Sequence, residues 1–233
     1  MTNLYSIAIA ASLLFIFSCK SASKSYQKGD YTDAIERGVK KLQKDPNDYE
    51  TKDLVQKSYT YTVNEHEDQI RILSNSKNDN RYDRIYQEYV ALQNLYGTIH
   101  QYPEAARLIK AKDYSEFVET YRDKAADVHI TKANQWMQEG TRDAYREAYR
   151  EFATAANYRP DDFELRKQRD DAYDRAVVKV ILNPIQDLGG YRYGASFQLE
   201  NFQSDILRTL SYNMNNEFVR FDSEKEARNK DVE

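Results

Sequence analysis

The residues that could do chemistry are few and scattered. Histidine occurs at 66, 100 and 129 only, with no HExxH or other paired-ligand spacing, so a metal has no ligand set to start from. His66 falls on the apolar seam of a helical pattern without a His or Cys companion, which makes it a core or boundary histidine. His129 has no ligand companion either. The acid pairs Asp161/Asp162 and Asp170/Asp171 lack the alternating oxygen ligands and the glycine of a calcium loop. They read as helix capping and a solvated face. Gly189-Gly190 lies between a strand and a helix, without the Lys and Ser/Thr of a phosphate-binding loop. Nothing singles out a serine nucleophile. The expectation is a protein that is not an enzyme and uses no cofactor, metal or small-molecule substrate. What remains is Cys19, the only cysteine, standing after the apolar run Ile7 to Phe17.

That run is too short to span a bilayer, which takes about 20 residues, and has the length of a signal-peptide core. Ile16-Phe17-Ser18-Cys19, followed at once by polar sequence, resembles the signal of a bacterial lipoprotein. The resemblance implies removal of residues 1–18 and multi-chain acylation of Cys19 as the new N-terminus. It also implies residence at a membrane, expected to be the outer membrane facing the periplasm. Several acyl chains hold stably because each buried CH₂ adds about 0.8 kcal/mol. Acylated, Cys19 leaves no thiol for a disulfide or for thiol catalysis. An ordinary secretion signal or an N-terminal anchor is the other reading of the run.

The chain has 233 residues; cleavage would leave about 215, room for one domain or two small ones. Its net charge of −4, from 34 basic and 38 acidic side chains, is not the footprint of a nucleic-acid binder. Charged residues make up 31 per cent against 7 Gly and 4 Pro, a balance that favours long, solvated helices. With Tyr outnumbering Phe 20 to 9, the chain has enough apolar surface for a core and does not read as disordered.

Residues 20–28 are expected to form a short tether; the chain from Cys19 to Ser25 spans roughly 20 Å at full extension. Gly29-Asp30-Tyr31, Ala34 and, twelve residues later, Pro46 resemble the second half of a tetratricopeptide repeat. Gly29 tolerates a sharp turn, Asp30 can cap a helix, and Pro46 disfavours helix at Asp45. Gly38 and Lys41 stand where that family carries an aromatic residue and an alanine. A second such unit surrounds Ala148, with Phe152 and Ala155 near the family positions and Pro160 twelve residues after Ala148. Asp161 or Asp162 then caps a helix to about Ala176. Between the two units the pattern is that of a generic helical hairpin.

Val55, Tyr59, Val63, His66, Ile70 and Leu73 form one seam of a helix over 49–73. After the polar loop 74–80, Tyr82, Ile85, Tyr89, Leu92, Tyr96 and Ile99 form the seam of an antiparallel partner. Pro103 opens a short helix to Ile109. A helical stripe from Phe117 to Trp136 follows, as one long helix or two. The tyrosine-rich seam suits a thin stack whose core lies close to water, and it equally suits a partner-binding face, because tyrosine has an apolar body and a polar tip. Tyr82, Tyr86, Tyr89 and Tyr96, with Tyr191 and Tyr193 in the later loop 185–196, are the candidate partner contacts.

At Val177 the character changes. Residues 177–183 (VVKVILN) carry a buried-strand signal closed by Pro184. A helix over 197–215, with Phe202, Ile206, Leu207, Leu210 and Met214 inward, leads to a second strand over 217–221 and a charged tail. Strand, helix and strand in this order predict a parallel unit. It resembles the opening of periplasmic α/β domains in envelope lipoproteins such as the curli-secretion channel protein. Such a unit is incomplete alone: the strands lean on the helices, a partner completes the sheet, or the gene product is truncated.

The fold expected is therefore mainly α: a signal peptide (1–18), a tetratricopeptide-like stack of helical hairpins (19–176), and a small α/β segment (177–233). The function expected is a lipid-anchored adaptor or scaffold that binds another envelope protein. The alternative is a subunit of an oligomeric secretion or pore apparatus assembling through 177–233.

Overall fold

The computed structural model describes residues 21–184, 195–214 and 216–230. The fold is mainly α, with a small two-stranded parallel sheet near the C-terminus. The chain divides into two compact units, Met1–Ala125 and Ala126–Glu233.

In the first unit the expected tether is instead a short helix, α1 (Ala22–Gln27). Ser21 caps it by accepting from the Lys24 N–H at 3.3 Å. Its Ala22 and Ser25 are buried, and the Ser25 hydroxyl donates to Asp33 at 2.5 Å. The helix is too short to show an apolar period, so only its neighbour reveals it. Gly29, at φ +77°, makes the left-handed exit that L side chains resist.

Helix α2 (Tyr31–Lys44) begins where expected, with Asp30 accepting from the Asp33 N–H. Ala34, Ile35, Gly38, Val39 and Leu42 form its buried face. The two departures from the repeat pattern have local reasons. A Cβ on Gly38 would lie 2.2 Å from Val55 Cγ2, so the close approach of the next helix demands glycine. Lys41 Nζ lies 2.5 Å from Asp48 Oδ2.

Asp48 caps that next helix, α3 (Tyr49–Ser74), accepting from the N–H and the hydroxyl of Thr51. α3 pairs antiparallel with α4 (Arg81–His100). Val55 joins Leu95 and Ile99 in one core cluster, and Ile70 and Leu73 join Ile85 and Leu92 in another. Helix α5 (Pro103–Leu108), opened by proline as expected, adds Ala105 to the first cluster.

The division between units falls within α6 (Ser115–Glu139), which is one helix. In the second unit Gly140, at φ +70°, precedes a hairpin of α7 (Arg142–Tyr158) and α8 (Phe163–Ala176). Thr141 caps α7 and Asp162, not Asp161, caps α8. Ala133, Ala148, Phe152, Ala155, Leu165 and Ala172 form the core. Alanines dominate it because small side chains let helices approach closely.

Strand β1 (Val178–Leu182) runs parallel to β2 (Val219–Ser223), with Val178 opposite Val219 and Leu182 opposite Ser223. Helix α9 (Ala195–Met214) lies between them in sequence, and α10 (Glu224–Lys230) follows β2. Three expectations are corrected. β1 is not a buried strand: Val180 and Ile181 are 38 % and 48 % exposed. Phe202 and Met214 do not face inward; both are more than half exposed. Part of the expected charged tail is helix α10. Parallel strands are ordinarily covered on both faces, and among the described residues α9 and α10 cover this sheet only in part.

The segment does lean on the helices of its own unit. Phe218 is buried against Tyr149 of α7 and Tyr173 of α8. The Tyr173 hydroxyl donates to the Glu217 carbonyl at 3.0 Å.

Candidate interaction surface

Of the candidate contacts, Cys19, Tyr191 and Tyr193 lie outside the described residues. Tyr82, Tyr86, Tyr89 and Tyr96 all lie on α4 and are half-buried. Two of them belong to a larger array. Tyr89 stacks on Phe117 of α6 at 5.0 Å between ring centroids and 15° between planes. It also meets Tyr121 at 5.1 Å and Tyr114 at 6.1 Å. Tyr82 reaches Tyr121 at 6.3 Å. The sequence pattern places Phe117 and Tyr121 on one stripe, but not against the α4 tyrosines, since the pairing crosses helices. Tyr96 stands apart, with its ring 4.0 Å from that of His100.

Cations decorate this array. Lys124 Nζ lies 4.6 Å from the Tyr121 ring centroid, and the Arg81 guanidinium lies 4.7 Å from that of Tyr82. Arg81 also donates to the Tyr82 hydroxyl at 2.9 Å. Lys112 sits over Tyr114 and Phe117. Exposed cation–π contacts contribute about 0.5–1 kcal/mol each. The result is a strip of rings with positive ends, partly open to solvent at Phe117.

Beneath the strip lies a buried polar contact. Tyr114 is almost fully buried, and its hydroxyl donates to Glu67 at 2.8 Å. Burial, then the bond to Glu67, pushes the Tyr114 phenol well above the usual tyrosine range. Burial also raises Tyr89 and Tyr59.

Two histidines are pinned rather than poised. His66 Nδ1 lies 2.6 Å from Glu88, bridging α3 and α4. His129 Nδ1 lies 2.5 Å from Glu151, bridging α6 and α7, and its ring stacks on Tyr158. The Thr62 hydroxyl, one turn before His66, has no hydrogen-bond partner among the described residues, so threonine, histidine and glutamate do not form a nucleophile relay. Among the described residues no group of three or more His, Cys, Asp or Glu could hold a metal. Among them, too, no helix is long and apolar enough to cross a membrane.

The chain matches no protein-family model, and no curated protein is similar to it.

Proposed function

We propose that the protein is a lipid-anchored adaptor that binds another envelope protein through the aromatic strip of its first unit. The observation that carries this reading is the α4–α6 array of Tyr82, Tyr89, Phe117 and Tyr121 with Lys124 and Arg81 at its edge. Tyrosine and arginine are the residue types enriched at interface hot spots, and their rigid rings lose little entropy on binding. The partner is a folded protein with an acidic or hydroxyl-rich face. The role is recognition, with no catalytic step and no cofactor. Cys19 supplies the anchor, in the outer membrane on the periplasmic side, and raises the local concentration of the binding face. Tyr86, Tyr96, Tyr191 and Tyr193 remain candidate contacts.

A photo-crosslinking residue at Phe117 or Tyr86, in cells, should trap one envelope protein. The same residue at exposed Phe163 should not. Equal adducts at all three sites, or none, would defeat the reading. The anchor is tested separately: labelled fatty acid should enter the wild type and not Cys19→Ser.

A second reading rests on a different observation, the exposed Val180 and Ile181 of β1 with Phe202, Tyr212 and Met214 of α9. These would be covered if copies assemble through 177–233 into a secretion or pore apparatus. A ring-sized particle of the full chain in detergent would favour it; a monomer speaks against it.

A further inference from the structure

Inside the first unit, helices α2, α3 and α4 line a cavity of about 250 Å³. Each helix contributes two polar side chains: Thr32 and Glu36, Thr62 and His66, Asn94 and Thr98. Ile35, Ala91 and Leu95 make up the apolar part of the lining. At about 30 Å³ per water, the space exceeds what one or two bridging waters would fill.

One group in this lining is unexplained by the fold. Thr62 is 5 % exposed, and its Oγ1 has no hydrogen-bond partner among the described residues. A buried hydroxyl left unpaired is costly. A helical threonine has a ready remedy in the carbonyl four residues back. Thr60 on the same helix takes it, bonding to the Gln56 carbonyl at 3.0 Å. Thr62 does not, and its side chain lines the cavity.

The charges then select a ligand class. His66 is already engaged with Glu88 at 2.6 Å. Glu36 is exposed, so it stands at the mouth, and no hydrogen bond or ion pair ties it to another described residue. Among the described residues no Lys or Arg lines the cavity. A phosphate or carboxylate would meet an acid and no cation. An ammonium would meet Glu36.

We infer that this cavity binds a small aliphatic amine carrying a second polar group, a diamine or an amino alcohol. The ammonium pairs with Glu36 at the mouth. The methylene stem lies on Ile35, Ala91 and Leu95. The second polar group satisfies Thr62 Oγ1, with Asn94 and Thr98 alongside. Such a ligand touches all three helices, so its binding stabilises the packing of the first unit by mass action. The inference does not depend on the anchor or on the aromatic strip.

The test uses the full chain in detergent with 1,4-diaminobutane, 4-amino-1-butanol and 1,4-butanediol as probes. Saturation-transfer NMR reads binding, and thermal unfolding reads the linked stabilisation. Both amines should show transfer and raise the midpoint, and the diol should do so more weakly. Thr62→Val should weaken amine affinity about tenfold while the free protein melts no lower, because the variant removes the orphaned hydroxyl. Glu36→Gln should erase the preference for amine over diol. Ala91→Leu should fill the space and block all three probes. Absence of transfer from either amine would overturn the inference and leave a hydrated cavity. Amine affinity unchanged in both Thr62→Val and Ala91→Leu would overturn it too, by placing the amines on surface carboxylates.

Discussion

Phe218 meets Tyr149 edge to face, with ring centroids 5.5 Å apart and planes at 89°. Tyr173 completes a triangle of rings, 6.1 Å from Phe218 and 5.3 Å from Tyr149, and the guanidinium groups of Arg146 and Arg150 lie 5.5 and 5.6 Å from the Phe218 ring centroid. One side chain just before β2 thus ties the sheet to the α7–α8 hairpin.

Phe218→Ala should therefore detach the sheet while sparing the helices. Truncating a buried phenylalanine costs about 3–5 kcal/mol. Proteolysis within 178–223 should accelerate strongly. The fluorescence of Trp136, which packs on the α7–α8 core, should stay unchanged. Unaltered proteolysis would show that the sheet is held by something else.

Gly38 and Gly97 make a matched pair of tests. Gly38→Ala drives a methyl into Val55 Cγ2 and should lower stability by about 1–3 kcal/mol from overpacking, less up to about 1 kcal/mol of gained helix propensity. Adding Val55→Ala should recover part of the loss, a coupling read from a double-mutant cycle. Around Gly97 nothing among the described residues lies within 4 Å of an added Cβ, so Gly97→Ala should stabilise by about 0.5–1 kcal/mol. Denaturant unfolding distinguishes the two signs.

Asp48 should set part of the acid limit. The bond to Lys41, then the bonds to the Thr51 N–H and hydroxyl, hold its carboxyl well below the usual range. The unfolded chain titrates near the ordinary aspartate value of about 3.9 and takes up the proton first. The stabilisation is thus present above about pH 4 and lost as pH falls toward the folded value. The melting midpoint of wild type should exceed that of Asp48→Asn at neutral pH, and the gap should close in acid. A gap independent of pH would rule out the charge as its source.

Tyr114 should act at the alkaline end, with the opposite sign. Its phenol is raised in the folded chain, whereas the unfolded phenol ionises near 10. The contribution is complete below pH 10 and is lost as pH rises. Tyr114→Phe should therefore flatten the alkaline decline in stability. In a phenolate absorbance titration, Tyr114→Phe should leave the amplitude below pH 11 unchanged, because Tyr114 itself has not yet ionised there.

The local features of this fold were legible in the sequence. Asp30, Pro46 and Pro103 act on their own turns, and the seams of α3 and α4 repeat within single helices, so those elements fall where their residues say. Gly38 was not legible, because its reason is Val55 in another helix. α1 is not legible either, because six residues carry no period. The exposure of β1 cannot be read from its own residues, because it depends on what covers each face, and Val180-Ile181 reads the same covered or bare. On the candidate surface, Tyr82 and Tyr89 were identifiable from α4 alone. Their stacking partners on α6, and Glu67 beneath them, belong to tertiary pairing, and so does the cavity around Thr62.

The parallel pairing of Val178 with Val219 also bears on the order in which the chain acquires structure. The helical hairpins close contacts between sequence neighbours. The sheet waits for a strand made roughly forty residues after its mate, and must first meet the entropy of closing that loop. Contacts of that separation form slowly. As the polypeptide is synthesised, β1 emerges with apolar Val180 and Ile181 uncovered and no neighbour to accept it. For that interval it is the segment most exposed to a wrong pairing, and the one a chaperone would have most reason to hold.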